Sequence, residues 1–330
     1  PVPSLVALHR IQPTAMSIEV QVYSPEWRQQ VIDLTVQEYP YMRSWFEARF
    51  VALHENFYQT GRNRIIIAIE GNKLAGCISW VHWPLTYMGK ETGAGQMVGL
   101  VVDPAFRGKG VFGKMLAELD RQAAAASVSC LFGFPVPVSK PGFEKQGWKN
   151  VFDLDWFVAP VNPLAIFRKT FSAEGFSTTA PDQLPAASGF LQTAADADFW
   201  KYRKDFSPEW PDYWFHASIE GKPFSLVFRI QQRMGLNEAV IGKIYGGEAT
   251  ARDFQALLKL FIRQLRAEGS IALTSAAVNI SCQDQAVQAV RARFFRSGKK
   301  VHFIAKHYGQ HDYYARPEEW NIWRADMETW

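Results

Sequence analysis

The alternation of apolar and polar side chains predicts a chain rich in strands. From Ser17 to Tyr23 every second residue is apolar, which is the period of a strand buried on one face. By similar reasoning we predict strands at Arg64–Glu70, Leu74–Trp83, Met97–Val102, Ser129–Phe134, Asp153–Ala159, Phe215–Glu220, Pro223–Ile230, Ala239–Tyr245, Ile271–Val278 and Val301–Ala305. Because the run Met97–Val102 is apolar at nearly every position, we expect a central strand buried on both faces.

Apolar residues spaced by three or four positions predict helices between these strands. One helix begins at Ser24-Pro25, with proline in its first turn, and ends at Tyr39-Pro40. We predict further helices at Tyr41–Tyr58, directly after the glycines of Gly108–Gly113, at 141–147, at Ala251–Glu268 and at Gln283–Phe294.

The segment 161–190 interrupts these patterns, because it is rich in proline, glycine, serine and threonine, and we interpret it as a linker. The order of hairpin, strand, helix, strand, helix and strand occurs on both sides of it. We therefore predict an N-terminal extension at 1–16, a first domain at 17–160, the linker at 161–190 and a second domain at 191–330.

Composition excludes several classes of protein. With 48% apolar and 14% aromatic residues the chain is too hydrophobic to be disordered, and no apolar run reaches the ~18–20 residues of a membrane span. A net charge of +4 is too small for a dedicated nucleic-acid binder. The cysteines Cys77, Cys130 and Cys282 lack the spacing of a metal site or a disulfide framework. We expect a cytoplasmic monomer or homodimer without metal and without contact to nucleic acid or membrane.

The glycine-rich loop that follows Met97–Val102 is the candidate for chemistry. A buried strand ends at Asp103-Pro104, and the glycines at 108, 110 and 113 lead into a helix. The first turn of a helix has unpaired N–H groups and the positive end of the helix dipole, and glycine allows an anion to approach the backbone. With Arg107 and Lys109 nearby, these features predict a pyrophosphate site.

The run Val102-Asp103-Pro104-x-Phe106-Arg107-Gly108-Lys109-Gly110-Val111 resembles the coenzyme A motif [QR]-x-x-G-x-[GA] of the GNAT superfamily of N-acetyltransferases. The order of elements from Ser17 to Ala159 is similar to that family as well. The resemblance implies an α/β (α+β) fold with tandem GNAT-like domains, each a mixed, mostly antiparallel central sheet flanked by helices. It also implies acetyl-CoA as co-substrate, bound by Leu100, Val101, Val102, Arg107, Gly108, Lys109, Gly110, Val111, Phe112, Gly113 and Lys114.

Two positions depart from the family pattern. Phe112 stands where the motif ends in a small residue, which is acceptable if its ring points into the core. Many relatives place a tyrosine four residues before a Gly-aromatic pair as the acid for the leaving thiolate, and here that position holds Phe143. The thiolate then leaves without help, another group such as Tyr87 or Tyr41 serves, or the domain only binds its ligand.

Deprotonation of an attacking amine requires a base such as Glu, Asp or His. We take His82, Glu91 and Tyr87 as catalytic candidates; the alternatives are that His82 is a polar residue of an edge strand and that Glu91 is an ordinary surface carboxylate. His54-Glu55 could contact the substrate, and the alternating Asp153 and Asp155 could bind a cationic amine; a solvated surface is the alternative for both pairs.

The second half has Gly246-Gly247-Glu248 before its helix, without an arginine, and we interpret it as a degenerate repeat that lost coenzyme A binding. Six tryptophans flank its regular elements, which favours an interface or an acceptor wall over a core: Trp200, Trp210, Trp214, Trp320, Trp323 and Trp330. The chain is expected to transfer an acyl group, most simply acetyl, to a small amine such as an amino sugar or amino acid. The alternatives are a non-catalytic acyl-CoA sensor or scaffold and an enzyme for longer acyl groups.

Overall fold

A computed structural model describes residues 17–38, 43–50, 63–167, 170–185, 189–194, 196–206, 210–309 and 311–327. Its strands are β1 (Glu19–Val22), β2 (Arg64–Glu70), β3 (Lys73–Trp83), β4 (Leu85–Tyr87), β5 (Lys90–Glu91), β6 (Ala94–Val102), β7 (Cys130–Gly133), β8 (Lys149–Pro160), β9 (Gln192–Thr193), β10 (Tyr213–Ile219), β11 (Lys222–Arg233), β12 (Leu236–Tyr245), β13 (Ile271–Asn279) and β14 (Phe295–His307). Its helices are α1 (Arg28–Glu38), α2 (Arg43–Phe50), α3 (Val111–Ala125), α4 (Lys140–Lys145), α5 (Ala197–Phe206), α6 (Ala251–Glu268) and α7 (Gln285–Arg293).

Eleven strands form one continuous sheet in the order β1-β2-β3-β6-β7-β14-β8-β13-β12-β11-β10. The pairs β6–β7 and β12–β13 are parallel, and the other neighbours in this order are antiparallel. A second, small sheet contains β5, β4 and β9. The predicted fold class is confirmed, and the sheets of the two halves are joined edge to edge.

The two halves exchange strands at the centre of this sheet. Strand β14, from the end of the chain, lies between β7 and β8 of the first half. Strand β8, in turn, pairs with β13 of the second half. Each half therefore completes its hydrogen-bond ladder with a strand from the other. The predicted boundaries at 160 and 191 stay a prediction.

Helices cover both faces of the sheet. On one face α3 and α4 pack on the first half, through Met115 and Phe143, while α6 and α7 pack on the second, through Phe261 and Val290. On the other face α1 and α2 cover β2 and β3. Among the described helices, none has the length and apolar content to cross a membrane.

The face opposite α6 carries a core that both halves share. It joins Val81, Trp83 and Phe132 of the first half to Trp214 and Tyr245 of the second, under α5 and the segment 311–327. Four of the flanking tryptophans are buried there or beside it: Trp200, Trp214, Trp320 and Trp323. They are buried where the two halves meet, so the expectation that they belong to no core, or line an acceptor wall, is corrected. Trp210 is 43% exposed, and Trp330 lies outside the described residues.

Sequence patterns missed helix α5 and the small sheet. Helix α5 lies in a stretch without clear periodicity, and its side chains Phe199 and Trp200 are buried against the shared core rather than along one regular stripe. The small sheet consists of strands of two or three residues, which are too short to show an alternation.

Candidate functional site

A cavity opens where the parallel strands β6 and β7 separate. They pair at Ala94–Gln96 and then part, and the space between them has a volume of about 810 Å³. Its lining consists of Gln96, Met97, Val98, Gly99, Leu100, Val101, Val102, Phe106, Arg107, Gly108, Gly110, Val111, Phe112, Phe134, Pro135, Val136, Val138, Ser139, Gly142 and Phe143. The cavity is closed at Gln96 and reaches the start of α3 at its other end.

The loop between β6 and α3 is shaped by two glycines and one aspartate. The Asp103 carboxylate accepts a hydrogen bond from the N–H of Ala105 (2.8 Å), which begins the turn. Gly108 and Gly110 have φ angles of +79° and +77°, a region that side chains with Cβ rarely adopt. A Cβ built on either would meet no atom within 4 Å, so the space beside them is open. The N–H groups of the first turn of α3 are therefore accessible to an anion.

Eight of the eleven residues predicted to bind coenzyme A line this cavity: Leu100, Val101, Val102, Arg107, Gly108, Gly110, Val111 and Phe112. The remaining three lie beside it. Lys109 Nζ is 4.8 Å from the centroid of the Phe106 ring, Gly113 faces the side chain of Gln146, and Lys114 Nζ donates to the carbonyl of Ile18 (3.2 Å). Their role as ligands for the co-substrate stays a prediction.

A bulge in β6 lies along the wall of the cavity. Cys77 pairs with Val101 and Ser79 with Val98, so Gly99 and Leu100 together stand opposite one residue of β3. A bulge leaves part of the ladder unpaired and turns the bulged strand. On the other side of β6 the pairing with β7 ends at Gln96, so main-chain polar groups of β6 face the cavity there.

The opposite wall was missed by sequence analysis. It is formed by the segment Phe134–Ser139 and the start of α4. Val136 and Val138 are 58% and 88% exposed at the cavity's edge. The signal was present as Phe-Pro-Val-Pro-Val-Ser directly after a buried strand, since prolines prevent that segment from continuing the sheet.

The two departures from the motif pack against each other. The ring centroids of Phe112 and Phe143 are 5.1 Å apart in an edge-to-face arrangement, and Phe143 makes a similar contact with Trp148. A Cβ on Gly142 would come within 2.8 Å of the Phe112 ring, so this glycine gives the ring its room. The Phe112 ring thus packs against Phe143 of α4, while its main chain stays in the first turn of α3. This is the condition under which the motif accepts a phenylalanine at this position.

The catalytic candidates His82, Glu91 and Tyr87 lie near the start of β6, away from the glycines, and are not among the lining residues. His82 is buried, pairs with Gly95, and its Nε2 is 3.2 Å from Glu91 Oε1. Tyr87 donates to Glu319 (3.0 Å), and burial together with this carboxylate raises the pKa of the phenol. Their catalytic role stays a prediction.

Other candidates have structural partners or lie elsewhere. Asp155 is buried and bonded to Arg296, and Asp153 contacts His302 (2.9 Å), so this pair does not present two open carboxylates to an amine. Tyr41 and His54-Glu55 lie outside the described residues. Within the described part of the chain, His, Cys, Asp and Glu side chains form no group of three that could hold a metal ion.

The second half has a matching gap between β12 and β13, which part after Ile241 and Ala276. At the start of α6 the side chains of Thr250 and Asp253 form a capping box, Thr250 Oγ1 accepting from the Asp253 N–H and Asp253 Oδ2 from the Thr250 N–H. Carboxylate and hydroxyl oxygens thus occupy the helix terminus where the first half leaves its N–H groups accessible. That the second half is a degenerate repeat stays a prediction.

Comparison with known proteins gives a family match for part of the chain and several similar folds. Residues 23–151 match the family of acetyltransferase (GNAT) domains. No curated protein matches the chain. A GCN5-related N-acetyltransferase from Anabaena variabilis is similar in structure with a TM-score of 0.62 at 11% identity, over 88% of this chain and 73% of that chain.

Two further solved structures have similar folds over nearly their whole length. A tandem GNAT protein from the clavulanic acid biosynthesis pathway has a TM-score of 0.53 at 16% identity, over 90% of this chain and 100% of that one. A putative acetyltransferase from Pyrococcus horikoshii has a TM-score of 0.52 at 9% identity, over 96% of both chains. At these identities the likeness is one of fold.

Proposed function

We propose that this chain is an acyl-CoA-dependent N-acyltransferase, because its residues 23–151 match the family of acetyltransferase (GNAT) domains. The acyl group is acetyl, and the acceptor is a small amine such as an amino sugar or amino acid. Transfer is direct, within a complex that holds both substrates.

One observation carries this proposal: the cavity between β6 and β7 reaches the first turn of α3 at the loop Arg107–Gly110. The accessible N–H groups at Gly110 and Val111 and the guanidinium of Arg107 suit a pyrophosphate. The apolar walls at Val98, Leu100 and Phe134 suit an extended arm that ends in a thioester. Acetyl-CoA has this order of groups.

The reaction needs few groups from the protein. The amine nitrogen attacks the thioester carbon, the C–S bond breaks, and the amine loses a proton. Main-chain N–H groups of β6 that face the cavity would stabilise the negative charge on the carbonyl oxygen. The pair His82–Glu91 is our candidate for receiving the proton, through water, and Tyr87 is our candidate for protonating the thiolate.

A non-catalytic acyl-CoA sensor is the second candidate, and Phe143 favours it. The phenylalanine stands at the position where many relatives carry an acid, and its ring is 1% exposed between Phe112 and Trp148. Release of thiol from acetyl-CoA across a panel of amines separates an enzyme from a sensor.

The binding step is tested by calorimetric titration with acetyl-CoA. We expect wild-type protein to bind and Gly110→Glu to lose at least about a hundredfold in affinity, because a carboxylate would replace and repel the pyrophosphate. Gly235→Glu is the matched control: Gly235 has φ +78°, a Cβ there also meets no atom within 4 Å, and it lies in the β11–β12 turn. Absence of binding by wild type, or equal affinity in the two variants, would contradict the proposal.

A further inference from the structure

The gap between β12 and β13 is filled by a later part of the same chain. Trp323 forms an antiparallel bridge with Val278 of β13, and its indole is buried in the core below α6. Its ring N–H donates to Asn321 (2.7 Å). The segment 320–327, which we call the insert, thus occupies in the second half the place that the cavity occupies in the first.

Asp326 fixes the insert to β12. Its carboxylate accepts from the N–H of Trp323 (2.7 Å) and from Lys243 Nζ (3.1 Å). The Lys243 and Asp326 side chains are 3% and 2% exposed. A buried lysine depends strongly on its counter-charge, because removal of one partner leaves the other charged and out of water.

Asp326 also contacts Gln96, which lines the cavity of the first half. Gln96 Nε2 donates to the main-chain carbonyl of Asp326 (2.8 Å), and Gln96 is 1% exposed. Gln96 is the last residue of β6 that pairs with β7, so it stands at the closed end of the cavity. From Val102 to Gln96 the strand runs for roughly 20 Å, so an arm that is bound by its phosphates at α3 and follows β6 points its acyl end toward Gln96.

We propose that Asp326 is a positioning residue for the acyl end of the cavity, where it holds the carboxamide of Gln96 against the acyl group of the thioester. This inference rests on the proposed function. It gives the second half a part in recognising the acyl group, through the insert that fills its own gap.

The test compares the affinities of the full-length protein for acetyl-CoA and for coenzyme A, which lacks the acyl group. We expect Asp326→Asn to lower the affinity for acetyl-CoA about fivefold or more and to change the affinity for coenzyme A by less than about twofold. Gln96→Leu should do the same. The double variant should be no weaker than Gln96→Leu alone, because Asp326→Asn acts only by displacing the main-chain carbonyl that Gln96 contacts. Gln96→Leu leaves the ion pair in place, so it decides the outcome if Asp326→Asn does not fold.

Asp253→Asn is the matched control. The Asp253 carboxylate also accepts from a main-chain N–H in a capping box (Thr250, 3.0 Å) and from a lysine (Lys222, 3.1 Å), but it lies at the start of α6. For Asp253→Asn the ratio of the affinities for acetyl-CoA and coenzyme A should equal that of wild type. Equal weakening of both ligands by Gln96→Leu, or no change in either, would overturn the inference and leave the proposed function standing. Failure of wild type to bind either ligand would overturn both.

Discussion

At the scale of single residues, burial makes the three thiols unreactive. Cys77, Cys130 and Cys282 are free and buried. Burial raises the pKa of Cys77 to about 12 and that of Cys282 to about 12, and it raises the pKa of Cys130 as well. The thiolate is the reactive form, so these side chains are both inaccessible and protonated at neutral pH.

We therefore expect the folded protein to react very slowly with a thiol reagent such as DTNB at pH 8. After unfolding in guanidinium chloride, all three thiols should react. Rapid reaction of one thiol in the folded protein would contradict the burial described here. Slow reaction would also allow the same reagent to report coenzyme A released from acetyl-CoA.

The glycine loop and its arginine could be predicted from the sequence because their residue types are dictated by local geometry. Gly108 and Gly110 adopt a backbone conformation that disfavours other residues, so the motif is visible without a structure. Gln96 could not be found in this way. Its position at the closed end depends on where β7 leaves β6, and its partner Asp326 is 230 residues away.

At the scale of elements, alternation predicted the long strands well, because it reports which faces are buried. It does not report which strands are neighbours. The pattern at Val301–Ala305 predicted a strand, but its place between β7 and β8 follows from contacts such as Ile304 with Gly133 and Phe303 with Phe152. Such pairings join residues far apart in the chain, and no local pattern encodes them.

Side chains at the end of strand β14 also form an ion pair and hydrogen bonds with the helices of the first half. Lys306 Nζ contacts Asp120 of α3 (2.6 Å) and donates to the carbonyl of Gln146 after α4 (2.8 Å). Tyr308 donates to the same aspartate (2.7 Å). Both side chains of the ion pair are about three-quarters buried or more, at 25% and 19% exposure.

We expect Lys306→Met to lower the free energy of unfolding by about 1–2 kcal/mol, the range for a charge-assisted hydrogen bond that is partly shielded from water. Denaturation in urea measures this change. Arg121→Met is the control, because Arg121 pairs with Glu118 on the same helix and its side chain is 65% exposed. The control should lose at most about 0.5 kcal/mol. Equal losses would show that Lys306 acts only as a surface charge.

At the scale of the whole molecule, the exchange of β8 and β14 makes each half depend on the other. Without β14, strands β7 and β8 would each have an unpaired edge in the middle of the sheet. The shared core would also lose Phe303, Trp320 and Trp214, which belong to the same cluster as Phe132 and Trp83 of the first half. Without β14 and the residues that cover one face, the sheet of the first half would bury much less apolar surface.

We therefore expect the full chain to unfold in a single transition, with tryptophan fluorescence and far-ultraviolet circular dichroism giving the same midpoint in guanidinium chloride. The fragment 17–160 should lack cooperative unfolding and should not bind acetyl-CoA, even though it contains the whole glycine loop. Two separate transitions in the full chain, or a folded fragment that binds acetyl-CoA, would contradict this dependence. Since the segment that directly follows β7 forms one wall of the cavity, the same exchange makes the site a property of the entire chain rather than of its first half.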